Sequence, residues 1–130
     1  IGTTFSCTHI EPLVNNKGNI AAAKRVDTLL NRTFIEPLLG LGYPKADFPL
    51  LRKLDRYMQA GDEQKMIFDF DFIGIQCYTR EVVKASLFVP YIQATIVKAQ
   101  KRIVDCTEMK WEVYPPSIYQ LIKNSMNISR

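Results

Sequence analysis

Only two stretches of this chain read as central β-strands, and the stretches between and after them read as helix and loop. Ile1 to Cys7 is short and rich in β-branched and aromatic residues, which suits a buried strand. Phe68 to Tyr78 alternates at its start, with Phe68, Phe70 and Phe72 against Asp69 and Asp71, then turns apolar through Ile73, Ile75 and Cys77. That pattern describes a strand that begins in solvent and is buried further along. Strands alternating with helical patterns imply a parallel α/β arrangement. Two strands cannot close a barrel or cover both faces of a sheet, so the fold class is clear and the fold is incomplete.

The connecting segments fill in the order. Thr8 to Gly18 carries Pro12, Asn15, Asn16 and Gly18 and reads as a loop. Asn19 is the expected N-cap of a helix from about Ile20 to Leu39, whose apolar face is Ile20, Ala23, Val26, Leu30 and Phe34. Pro37 should kink or end it. A shorter helix is expected over Asp47 to Met58, with Phe48, Leu51, Leu54 and Met58 on one face, and a helical turn from Asp62 through Ile67. Val82 to Asp105 is long and ambiguous, with Pro90 in its middle, and its conformation is left open. Pro115-Pro116-Ser117 opens a last helix to about Asn124, facing a core through Ile118, Leu121 and Ile122.

Composition excludes several classes. At 47% hydrophobic and 23% charged residues the chain is neither disordered nor membrane-spanning. A net charge of +4, spread along the sequence, does not favour a nucleic-acid partner. Cys7, Cys77 and Cys106 lack CxxC spacing, so reduced thiols in a cytoplasmic protein are the simplest expectation. No signal peptide is visible. The chain opens at Ile1, already in a strand, and the expectation is that its 130 residues are a piece of a longer protein.

In parallel α/β folds ligands lie at the carboxyl ends of the strands. Asp69 and Asp71 resemble a metal-binding DxD pair but lie at the wrong end, so a solvated or capping role is favoured. Gln76, Cys77 and Tyr78 lie at the exit end of the second strand, and Ser6, Cys7, Thr8, His9 and Glu11 follow the first. An amide and a phenol at a strand exit both donate and accept, which suits a hydroxylated ligand; simple packing of Tyr78 is the alternative. Cys7 and His9 are two apart on an extended segment and could share a side, but nothing marks the orienting group or oxyanion site that a Cys–His nucleophile needs, so a structural role is favoured. Glu11, Glu108 and Glu112 are the remaining exit-end carboxylates, and any two are candidates for an acid–base pair. Trp111, the only tryptophan, stands in a polar loop and makes a good stacking platform for a sugar or aromatic ring; a core anchor is the alternative. The basic stretch Lys98, Lys101 and Arg102 reads as a solvated loop face. Asn31 and Asn127 match the N-x-[ST] sequon, which carries little weight without a secretory signal.

Four ordered motifs together resemble glycoside hydrolase family 1, the β-glucosidase and 6-phospho-β-glucosidase family. Phe70-Asp71-Phe72-Ile73-Gly74-Ile75-Gln76-Cys77-Tyr78-Thr79 is similar to its sixth barrel strand. Thr107-Glu108-Met109-Lys110-Trp111-Glu112-Val113-Tyr114-Pro115, continued by Ile118 and Tyr119, is similar to its M-G-W-E signature. Ile1-Gly2-Thr3-Thr4-Phe5 with Glu11-Pro12 resembles the fifth strand and its exit loop, and Phe34-Ile35-Glu36-Pro37-Leu38 with Tyr43-Pro44 resembles the F-x-D-P-L…Y-P stretch. The resemblance implies about two βα units of a (β/α)8 TIM barrel, from the fifth strand to just before the seventh. Residues 1–130 would then be one segment of a single catalytic domain, with no complete domain boundary in view.

The resemblance further implies a retaining β-glycosidase using two glutamates, one in an N-E-P motif and one in a T-E-N-G motif. Neither motif occurs here. By the same resemblance, Tyr78 supports the nucleophile carboxylate, Gln76 lines the sugar pocket and Trp111 stacks on the aglycone. The expected partners are a β-glycoside substrate and the remaining barrel segments or further copies of the chain, with no cofactor or metal. Gln76 stands where the family has Asn, Cys77 where it has Tyr, Lys110 where it has Gly, and Pro116-Ser117 where it has Glu-Gly. A non-catalytic sugar-binding or assembly piece is the alternative function.

Overall fold

The structure, a computed structural model, describes residues 1–128, with side chains through Ser125. Strand β1 (Gly2–Ser6) pairs in parallel with β3 (Phe72–Gln76). A second sheet follows: β2 (His9–Pro12) pairs in parallel with β4 (Arg80–Ala85), which pairs antiparallel with β5 (Ala94–Ile96). The expected loop after the first strand therefore contains a strand, and the open stretch after Val82 is largely a hairpin. Turn residues at Pro12, Asn15 and Asn16 masked β2, a strand only four residues long. Both sheets are open, and no closed barrel forms among the described residues.

The two parallel ladders follow one another along the chain but differ in register. Ser6 faces Gln76 and His9 faces Arg80, so Cys7 and Thr8 on one path lie opposite Cys77, Tyr78 and Thr79 on the other. The extra residue is a bulge in a parallel pair, a device that bends a strand and re-aims side chains. It leaves the Thr8 backbone outside either named strand, and the Asn31 side chain takes its place: Asn31 Oδ1 accepts from Thr8 N at 3.0 Å and Nδ2 donates to Thr8 O at 2.8 Å. A peptide group cut from its ladder needs such a partner when buried. Asn31 is thus a buried clamp and not an exposed sequon; the Ser129 that completes the sequon at Asn127 lies outside the described residues.

Helix α1 (Lys17–Asp27) starts earlier than expected. Asn16 caps it, accepting from Asn19 N at 2.9 Å, while Asn19 Oδ1 accepts from Ala85 N at 2.8 Å and ties the first turn to β4. Ala22, Ala23 and Val26 pack with Val83 and Ala94, so this helix covers the second sheet. The helix does not run on evenly: Thr28–Arg32 widens into a π turn before the short α2 (Thr33–Ile35). Thr28 and Thr33 hydroxyls bond back to Lys24 O and Thr28 O, which is how side chains loosen the regular ladder. The rotation leaves Leu30 and Phe34 exposed, contrary to the expected stripe, and buries Ile35.

The second expected helix is a 3₁₀ segment, Pro49–Arg56, buried at Phe48 and Leu51. Helix α3 (Asp62–Met66) and helix α4 (Pro116–Ile128) complete the set. Only Leu121 of the three apolar residues expected to face a core is buried, against Cys7 and Ile35, with Phe5, Ile75 and Cys77 around them. This second core lies on one face of β1 and β3. The opposite face is open: Thr4, Ser6, Phe72 and Gln76 are exposed.

Candidate functional site

The register bulge and the turn before α4 meet at one place. Gln76 ends β3, Tyr78 sits in the bulge and Arg80 opens β4. The turn at 107–111 is closed by Thr107 N to Trp111 O at 2.8 Å and Lys110 N to Thr107 O at 2.9 Å. It carries Trp111 to the Tyr78 ring, with centroids 5.5 Å apart and planes tilted by 50°. Tyr78 Oη donates to Gln76 Oε1 at 3.3 Å. The three residues singled out from the sequence are therefore drawn together at the exit of β3. Tyr78 is 59% and Trp111 37% exposed, so neither ring is a core anchor.

Arg80 and Glu112, close in sequence to Tyr78 and Trp111, anchor an ionic network. Arg80 forms a two-pronged bond to Glu112, Nε to Oε2 at 3.0 Å and Nη2 to Oε1 at 2.7 Å, and reaches Glu11 Oε2 through Nη1 at 2.6 Å. Arg102 adds Nη2 to Glu112 Oε2 at 2.7 Å. Glu11 Oε1 also meets His9 Nε2 at 2.7 Å, and the Arg80 guanidinium lies 3.7 Å from the centroid of the Tyr114 ring, a cation–π contact. Such planar, charge-assisted pairs are the strong class of hydrogen bond. Hydrogen bonds from Arg80 outweigh burial and, with Arg102, push the Glu112 carboxyl down to about 2. Burial would raise Glu11, but the bonds and charges of His9 and Arg80 overcome it and lower its pKa. The same carboxylates hold Arg80 above its ordinary range, Glu112 first among them.

This network corrects several expectations. Glu11 and Glu112 are brought together, but as partners of one arginine, which commits both to the ionised state. Glu108 is exposed and stands apart. His9 pairs with Glu11 rather than Cys7, and burial pushes the Cys7 thiol up, the wrong direction for a nucleophile. Arg102 is not a solvated loop residue: its side chain is 11% exposed and bound to Glu112. Asp69 and Asp71 are exposed at the start of β3, and no metal-binding cluster occurs among the described residues. Arg80 escaped the sequence reading, although its spacing offered a signal: Gln76, Tyr78 and Arg80 follow at every second residue.

The sequence profile of glycosyl hydrolase family 1 matches residues 1–127. The chain belongs to glycosyl hydrolase family 1. Among curated members it is 25% identical over 124 residues to a 1,4-beta-D-glucan glucohydrolase of Thermotoga neapolitana, covering 95% of this chain and 28% of that protein. It is 26% identical to a bifunctional beta-D-glucosidase/beta-D-fucosidase of Bifidobacterium breve, covering 82% of this chain and 25% of that one. Among solved structures, the AHE enzyme from Alicyclobacillus herbarius superposes with a TM-score of 0.86 at 28% identity, over 98% of this chain and 28% of that one. A beta-glucosidase from Exiguobacterium marinum gives 0.84 at 22% identity, over 97% and 28%. The chain thus spans between 25% and 28% of the length of these relatives, as a mixed α/β segment of their fold.

Proposed function

We propose that this chain is the pocket-wall portion of a retaining β-glycosidase of the β-glucosidase type, supplying substrate contacts but neither catalytic glutamate. The observation that carries the reading is the meeting of Gln76, Tyr78 and Trp111 at the exit of β3, on the ionic support of Arg80 and Glu112. In this reading β1 and β3 are the fifth and sixth barrel strands. Gln76 offers its amide to sugar hydroxyls, Tyr78 offers its phenol to the nucleophile carboxylate, and Trp111 offers its ring face to the aglycone. The acid that protonates the leaving oxygen and the carboxylate that attacks the anomeric carbon belong to the N-E-P and T-E-N-G segments of an intact enzyme, acting in a reducing, cytoplasmic setting.

Both halves of double displacement need those two carboxylates. The 130-residue chain by itself should therefore not hydrolyse an aryl β-glucoside above the buffer rate. Turnover that survives repurification and scales with the amount of chain would overturn the assignment. Arg80 holds Glu11 and Glu112 ionised and occupied, so these two do not make up an acid and a nucleophile.

A further inference from the structure

A cleft walled in part by Trp111 opens beside the surface that carries Gln76 and Tyr78. It has a volume of about 670 Å³ and runs between the 107–112 turn and the 3₁₀ turn Ala99–Lys101. Gln100 Nε2 donates to Lys110 O at 2.9 Å and fastens one wall to the other. Trp111 supplies an aromatic wall.

The charges around the cleft do not cancel. Four cations line it, Arg80, Lys98, Arg102 and Lys110, against two carboxylates, Glu81 and Glu112. Both arginines are occupied by Glu112. Burial discourages ionisation of Glu81. Lys98 and Lys110 have no carboxylate partner among the described residues, and both are exposed. Lys110 moreover adopts a left-handed backbone, φ +66°, where a side chain costs energy and glycine is favoured. The turn keeps a long cation at a position that its geometry would give to glycine.

We infer that this cleft binds an aromatic group carrying a negative charge, so that the enzyme containing this chain prefers β-glycosides with an anionic aryl aglycone. The inference rests on the reading of Trp111 as the aglycone platform and names the chemistry of what stacks there. The ring packs on the indole while Lys98 and Lys110 face its carboxylate or other acidic substituent. The arginines, committed to Glu112, hold the cleft floor.

Trp111 is the only tryptophan, so its fluorescence reports occupancy directly. The 130-residue chain is titrated with phenyl β-D-glucoside and with 4-carboxyphenyl β-D-glucoside, alongside the Lys98→Gln, Lys110→Gln double variant. The carboxylated glycoside should bind at least about fivefold tighter, an advantage that shrinks at high salt, as screening of exposed charges requires. The double variant should bind both glycosides alike; its two positions are exposed, so its fold is expected to persist, checked by circular dichroism. Equal affinity of the unaltered chain for the two, or an advantage that survives the double substitution, overturns the anionic preference. If equal binding is seen, Trp111 still stands as a platform. If neither glycoside changes the fluorescence, the platform reading falls together with the preference.

Discussion

Glu112 is the residue on which the site-bearing region turns. Its side chain is 3% exposed and receives two guanidinium groups from different elements, so it fastens β4 and the 3₁₀ turn to the segment that carries Trp111. Removing one member of a buried ionic cluster leaves uncompensated charge. Glu112→Gln should therefore destabilise the chain by about 3 kcal/mol in denaturant unfolding at neutral pH. The pH dependence has a definite sign. A carboxyl whose folded pKa is depressed from 4.5 to about 2 stabilises fully above its unfolded value, and that stability is lost as pH falls through the folded one. The gap between wild type and Glu112→Gln should accordingly be full at pH 7 and close between about pH 4.5 and 2. A gap that does not change with pH would contradict the ionised cluster. Residue type hinted at this only in part: Glu112 was visible as a carboxylate near a strand exit, but its partners Arg80 and Arg102 lie 32 and 10 positions away. Spacing cannot show such a meeting.

At the scale of elements, the sequence was legible where a single period ruled and illegible where two devices met. The two parallel strands of the first sheet, Gln76 and Tyr78 at their exit, and the loop-borne Trp111 all follow from alternation and turn chemistry. From its apolar spacing, which continues past Asp27, the stretch from α1 to α2 reads as a single helix. The π turn at Thr28–Arg32 shifts that spacing by side-chain bonding that no periodicity records. Likewise β4 and β5 form a hairpin whose connection uses positive φ at Tyr91 and Gln93, without the glycines that usually announce such a turn. The 107–111 turn has the same character at Lys110. Lys110→Gly should remove the left-handed strain and raise the unfolding free energy by about 0.5–1 kcal/mol, glycine's own entropic cost deducted. A lower denaturation midpoint would show that the lysine side chain supports the turn. The same substitution should weaken binding of an anionic aryl glycoside, separating the stability of the turn from its ligand preference.

The whole molecule is unevenly supported. The second sheet has α1 across it and its own core of Ala22, Ala23, Val26, Val83 and Ala94. Among the described residues the β1–β3 pair has a core on one side only, two unpaired outer edges and exposed apolar surface at Phe72, 63% exposed, and Ile73, 37%. Unpaired edges with apolar flanks recruit further strands. Sedimentation should show self-association that rises with concentration and is reduced by Ile73→Lys; a compact monomer at all concentrations would refute this. That incompleteness was legible from two strands alone, whereas the sturdier second sheet was not, because β2 is short and β5 follows an irregular hairpin. The bulge between the sheets has a separate consequence. Losing one residue between Gln76 and Arg80 would erase the three-against-two mismatch while leaving every named side chain in the sequence. Both ladders would then fall into one continuous register, and the every-second-residue spacing of Gln76, Tyr78 and Arg80 would be broken, turning a side chain to the other face. Along this stretch the fold depends on a count of residues as much as on their identity.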